Sequence, residues 1–153
     1  MKNKNIYILP THKPSRLFKN KESNLFSFRK FEDKPLNNNI QNQNICITND
    51  EEIKVGDWVL ETLNGVKFKV KVSGNDYSNS TFKRIILTTD QDLIADGVQA
   101  IDDTFLEWFV KNPSCEEVEV IKHVVDMSIY VDDIEKCNDT NYVEYEIIIP
   151  NKL

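Results

Sequence analysis

Trp58-Val59-Leu60-Glu61-Thr62-Leu63-Asn64-Gly65-Val66-Lys67-Phe68-Lys69-Val70-Lys71-Val72 decides the fold class. Asn-Gly between two apolar arms is the strongest short-range signal for a β-hairpin, because both residues accept the left-handed backbone that a tight turn needs. The second arm alternates. Val66, Phe68, Val70 and Val72 fall on one face, and Lys67, Lys69 and Lys71 on the other. A period of two predicts a half-buried strand with a basic outer face. Gly56-Asp57 leads into Trp58 as a turn, with glycine supplying backbone freedom and aspartate able to bond the turn amides.

Working outward, further short apolar runs read as strands. Ile6-Tyr7-Ile8-Leu9 is closed by Pro10, and Ile45-Cys46-Ile47 lies at the centre of residues 44–48. Phe26 and Phe28 alternate with Ser27 and Arg29 as a short edge strand or ribbon. Arg84-Ile85-Ile86-Leu87-Thr88, the region from Val118 through Val131, and Tyr142 to Ile149 complete the set. Residues 11–17 read as loop, and residues 132–141 as an acidic loop. Asp90 can cap one helical turn over 91–95, stopped by Gly97. Thr104-Phe105-Leu106-Glu107 fits a capping box, and Phe105, Leu106, Phe109 and Val110 form an apolar stripe ended by Pro113. The pattern predicts six to eight strands and one or two short helices. The expected fold is α+β and mostly β: a partly closed antiparallel barrel or roll, of which an SH3-like roll is one form, with one short helix packed across it.

The chain has 153 residues, 40% hydrophobic and 29% charged. That suits a single domain over 1–153 with its own core. The run of Asn and Gln around residues 32–43 reads as a polar low-complexity insertion. No stretch approaches the ~18–20 apolar residues that cross a bilayer. The opening Met1-Lys2-Asn3-Lys4-Asn5 leads into only four apolar residues, so a secretory signal is not expected. Three cysteines, Cys46, Cys115 and Cys137, with no C-x-x-C pair, argue against a disulfide-stapled secreted fold. Cys46 reads as a small core residue and Cys137 as exposed.

Charge is divided unevenly. Residues 1–34 carry nine Lys and Arg against three acids, a net of +6, while residues 35–153 carry ten basic and 22 acidic side chains, a net of −12. Such a contrast points to interaction surfaces. Two readings follow: a basic arm that packs against its own acidic body, or a basic arm that meets an anionic ligand.

No phosphate-cradling glycine loop can be built from four unclustered glycines. Asp90-x-Asp92 with Asp96-Gly97 lacks the closing glutamate of a calcium loop. His12, His123 and the cysteines lack metal-ligand spacing. Cys115 and His123, eight residues apart, form a nominal nucleophile–base pair with no identifiable third group. No catalytic residue, metal or cofactor is therefore predicted. Trp58 and Trp108 read as core anchors, although with Tyr77 they could line a pocket.

The most suggestive cluster is Thr11-His12-Lys13-Pro14-Ser15-Arg16, directly after the first strand. Hydroxyls, an imidazole, an ammonium and a fork-shaped guanidinium in one loop suit a phosphate or carboxylate. Phe18, Phe26, Phe28 and Phe31 could stack on bases. The candidate ligand-binding residues are Thr11, His12, Lys13, Ser15, Arg16, Lys67, Lys69 and Lys71. Their alternative reading is a solvent-exposed turn beside a few core phenylalanines.

Three segments carry a resemblance: Tyr7-Ile8-Leu9-Pro10-Thr11-x-Lys13-Pro14-Ser15-Arg16-Leu17, Ile47-Thr48-Asn49-Asp50-Glu51-Glu52-Ile53-Lys54-x-Gly56-Asp57-Trp58, and Arg84 through Glu116. Together they resemble a small protein family met mainly in phages of Bacteroidota and in related environmental viral sequences. The resemblance implies a viral, intracellular setting, the cytoplasm of an infected bacterium, and brings no catalytic or binding residues with it. The expected function is that of a non-enzymatic phage accessory protein that binds nucleic acid or a nucleotide through its basic N-terminal region. The alternatives are an inhibitor or adaptor that binds a host or anti-phage defence protein, and a virion component.

Overall fold

The structure, a computed structural model, describes residues 3–33, 39–69, 81–126 and 141–149. Ten strands and two helices follow in the order β1 (Asn3–Thr11), β2 (Ser15–Asn20), β3 (Phe26–Asp33), β4 (Ile40–Asn49), β5 (Trp58–Glu61), β6 (Val66–Lys69), β7 (Phe82–Thr88), α1 (Gln91–Ala95), β8 (Gln99–Ala100), α2 (Asp103–Phe109), β9 (Glu117–Asp126) and β10 (Asn141–Ile148). The fold is α+β and mostly β. All ten strands belong to one sheet, whose main path runs β10-β9-β1-β4-β7-β5-β6. The sheet is not closed into a barrel by a continuous ladder.

β4 is the hub. One side of it pairs with β1 from Asn42 to Thr48, and the other takes β2 at residues 40–43 and β7 at 46–49. Every residue from Asn42 to Asn49 is buried, which requires cover on both faces. Ile45 and Ile47 join Ile6, Leu17 and Val118 in the main core, where α2 inserts Phe105, Leu106 and Phe109. Cys46, between them, points the other way and joins Leu60, Ile85 and Leu93 of α1. Period-two alternation on a central strand thus supplies two apolar layers.

Several elements depart from the sequence reading. Residues 15–17, expected as loop, open β2, with Ser15 and Leu17 fully buried. β1 runs on through Pro10, which pairs with Gln43 of β4. β9 accompanies β1 only at Asn3–Asn5, so at Pro10 the other edge of β1 carries no ladder that its missing N–H would break. The low-complexity stretch contributes to both its flanking strands. Residues 32–33 end β3 and residues 40–43 begin β4, because Asn42 finds full hydrogen bonding in the interior. Its Oδ1 accepts from Arg29 at 2.6 Å and its Nδ2 donates to the Lys13 carbonyl at 3.0 Å.

The hairpin forms where Asn64-Gly65 predicts it, with Gly65 at φ +69°. Its loop has four residues, since Glu61 pairs with Val66. The Glu61 carboxylate accepts the Leu63 and Asn64 amides at 2.9 and 3.0 Å, which tightens the turn. The expected burial of the second arm is corrected at its start. Val66 is 53% exposed, whereas Lys67 is drawn inward by a buried carboxylate. α1 starts as predicted, with Asp90 accepting the Asp92 amide at 2.9 Å. The cap of α2 lies two residues before the predicted Thr104. Asp102 accepts the Phe105 amide at 2.9 Å and so takes the capping role. Tyr77, Cys137, residues 70–72 and 129–131, and nearly all of the expected acidic loop fall outside the described residues.

Candidate functional site

The basic arm folds onto acidic helix starts. Thr11 Oγ1 accepts the Lys13 amide at 3.1 Å, shaping the turn that aims Lys13 at Asp92 of α1, with which it pairs. Lys67 reaches the same helix and pairs with Asp90 at 2.9 Å. Lys13 and Lys67 therefore converge, but on two carboxylates in and beside the first turn of α1. The Lys13 ammonium holds the Asp92 carboxyl below its ordinary value, and Asp92 in turn raises Lys13. Arg16 goes elsewhere. Its guanidinium pairs with Asp103 in the first turn of α2, and its Nε donates to the Arg29 carbonyl at 3.2 Å. Arg29 returns the bond to the Ser15 carbonyl at 3.1 Å across a register shift in the β2–β3 ladder, and lies over the Phe18 ring at 4.6 Å.

Ser15 is buried and donates to the Leu17 carbonyl at 2.7 Å, while His12 is exposed. Lys69 pairs through its backbone with Trp58, and Lys71 lies outside the described residues. Phe26 and Phe28 pack on the main core, Phe26 edge-on to Phe109 at 6.0 Å. Of the eight candidates, three cations are joined to carboxylates of the same chain.

A second constellation sits where β8, a short branch off β7, faces β10 at one end of the sheet. Leaving β7, the chain turns through α1 and returns as β8, which pairs in parallel with Leu87 and Thr88. Among the described residues β10, at one end of the main path, pairs with β9 alone, and no backbone ladder joins it to β8. Instead the Gln99 carboxamide donates to the Tyr145 carbonyl at 2.7 Å and accepts the Tyr145 N–H at 2.7 Å. One side chain thus occupies the bonding positions of a whole peptide unit and bridges a seam in an otherwise rolled sheet.

Two clefts adjoin Tyr145. One, of about 200 Å³, is lined by Asp57, Trp58, Arg84, Asp96, Val143 and Tyr145, among others. Trp58 is half-buried, and its indole Nε1 donates to Asp96 Oδ2 at 2.7 Å. Gly56 (φ +95°) and the bond from the Lys54 amide to Asp57 Oδ2 at 2.8 Å make the turn that delivers Trp58 there. Val143 and the nearby Val55 are 42% and 62% exposed. Aromatic faces beside carboxylates and apolar rims suit a cationic side chain with an aliphatic stem. A second cleft lies between Lys4, Glu51 and Lys122, again against Tyr145. Glu51 accepts from Lys122 at 3.0 Å and Arg84 at 3.2 Å, and Arg84 also pairs with Asp57 at 3.5 Å. The Tyr145 hydroxyl is buried beside these charges and has no hydrogen-bond partner among the described residues. Burial holds its phenol above the ordinary range.

The nominal Cys115–His123 pair is not assembled. The Cys115 thiol donates to the Glu117 carbonyl at 2.9 Å, and His123 meets Glu146 at 3.0 Å. Among the described residues no cluster of His, Cys, Asp and Glu suits a metal ion, and no helix is long and apolar enough to cross a membrane. Sequence reasoning kept Trp58 as core, weighed Asp96 only as part of a calcium loop, and passed over Gln99 and Tyr145. The Gly-Asp turn before Trp58 was a signal. Nothing local marks Gln99, whose partner lies 46 residues away.

No protein-family model matches the chain, and no curated protein and no solved structure is similar to it.

Proposed function

We propose that the protein is a binding module that docks a partner protein on the seam cleft, with Trp58, Asp57 and Asp96 receiving a Lys or Arg side chain. The observation that carries this reading is the juxtaposition of an indole, two carboxylates and exposed Val143 at the seam between β8 and β10. The excess of acidic side chains over residues 35–153 favours a basic partner. In the setting that the phage resemblance suggests, the cytoplasm of an infected bacterium, such a partner is a host or defence protein, and the module acts as an inhibitor or adaptor. Binding of nucleic acid or a nucleotide by the basic arm ranks second, because Lys13, Arg16 and Lys67 are already joined to internal carboxylates.

The test uses a Trp108→Phe background, in which Trp58 is the sole indole. Its emission is followed against a short lysine-rich peptide and against single-stranded DNA at low salt. The expected result is a response to the peptide that Asp96→Asn weakens several-fold, with no response to DNA. Tight, salt-dependent DNA binding without a peptide response overturns the proposal and restores the anionic ligand.

A further inference from the structure

The bond pair between Gln99 and Tyr145 carries more than closure. Tyr145 directs both its N–H and its carbonyl away from β9, toward the seam. In an antiparallel ladder the outward-facing residues alternate, so the backbone groups of Val143 and Ile147 face the same way. Among the described residues β10 is thus an edge strand with outward backbone groups at Asn141, Val143, Tyr145 and Ile147, of which the Gln99 carboxamide satisfies those of Tyr145. An edge of this kind is a template for another strand. We infer that the seam is a strand-acceptor site: an extended segment of a partner protein carrying Lys or Arg pairs with the outer edge of β10 and displaces the Gln99 carboxamide, which is a placeholder for it. This deepens the docking reading above and rests on it.

The chemistry of the occupant follows from charge. Along β10 the side chains of Glu144 and Glu146 are exposed, and Asp57 and Asp96 line the adjacent cleft. His123 meets Glu146, Arg84 is held by Glu51 and Asp57, and Lys122, opposite Tyr145, is held by Glu51. A second copy of this chain is the wrong partner. Pairing of β10 with its own copy would bring the glutamates of one edge against those of the other, and like charges across strands are destabilising. A segment that alternates basic with small or β-branched residues faces no such penalty. It can pair its backbone with Val143, Tyr145 and Ile147 while a basic side chain enters beside Trp58. This is the strand-addition mode, in which main-chain bonds supply affinity and pockets for alternate side chains supply specificity.

The experiment uses the full chain and a short capped peptide that alternates lysine with threonine and valine. A second peptide has the same side chains but is N-methylated at every other backbone nitrogen, which removes strand pairing and keeps the charge. Gln99→Ala, which removes the placeholder, is expected to bind the first peptide about fivefold tighter than the unaltered chain. The N-methylated peptide is expected to bind at least about tenfold more weakly to both. Bound peptide should slow hydrogen exchange at the Val143 and Ile147 amides. Equal binding of the two peptides overturns strand addition while leaving side-chain docking at Trp58 intact, so the two proposals fail separately. Self-association of Gln99→Ala with protection along β10 also overturns the inference, in favour of a second copy. Should Gln99→Ala not fold, Val143→Pro serves instead. It deletes one outward N–H at an edge position that tolerates proline, and an unchanged affinity there overturns the inference.

Discussion

Lys67 leans from the β5–β6 hairpin onto Asp90, 2.9 Å away, and Asp90 is at the same time the N-cap of α1. A carboxylate whose side chain is only 7% exposed is thereby satisfied twice, by an ammonium and by a helix amide. The pair ties the hairpin to the helix whose Leu93 packs with Cys46.

Removing the ammonium leaves the carboxylate buried without its counter-charge. Lys67→Ala is expected to cost about 2 kcal/mol, below the roughly 3–5 kcal/mol of a fully buried pair, since Lys67 keeps some contact with solvent. Urea denaturation measures the loss. Lys67→Ala, Asp90→Asn is expected to recover part of it, because Asn still caps a helix and carries no charge.

The position of the α2 cap predicts unequal effects at neighbouring sites. Asp102→Ala is expected to cost about 1 kcal/mol, and Thr104→Ala less than about 0.5 kcal/mol. Thermal unfolding of the two variants checks it. Equal losses would return the cap to the Thr104 capping box.

Acid should act through Glu51. The bond from Lys122 is the chief cause that holds its carboxyl below the ordinary 4.5, with Coulombic help from Lys122, Arg84 and Lys4. A carboxyl depressed in the folded state contributes stability at pH values above its unfolded pKa, and that contribution is lost as pH falls through the folded pKa. Glu51→Gln is therefore expected to flatten the decline of stability below pH 4.5, with little effect on its shape at neutral pH. Denaturation midpoints across that range, in both proteins, decide it.

Cys46 should be inert while the fold is intact. Burial is the main cause that pushes its thiol up to about 11, against a small opposing effect of Thr88 at 3.4 Å. Thiolate is the reactive form, so alkylation at mildly alkaline pH is expected to modify the partly exposed Cys115 before Cys46. Peptide mapping after brief iodoacetamide treatment reads this out. Labelling of Cys46 at the rate of Cys115 would mean that α1 opens readily from the sheet.

Local chemistry made much of the fold legible. The apolar run at Ile45–Ile47, the Asn64-Gly65 turn, Asp90 before α1 and the Phe105–Phe109 stripe each act within a few residues, so their spacing can be read directly. β2 escaped notice because two of its inward residues are Ser15 and Leu17, an alternation too short and too polar to stand out beside Pro14. The polar start of β4 escaped for a related reason: Asn42 looks like loop until Arg29 and the Lys13 carbonyl are brought to its side chain. The candidate site was less legible still. The basic loop was visible as composition, but its partners Asp92 and Asp103 lie 79 and 87 residues further along the chain.

By itself, the amino-acid sequence determined where most of the strands, the Asn64-Gly65 turn and the cap of α1 fall and how unevenly charge is spread, since those depend on near neighbours and on simple counting. Only the tertiary structure decided which charges meet and where the sheet stops. Both depend on how strands distant in sequence stack edge to edge, and on a single glutamine that completes the roll where no strand does.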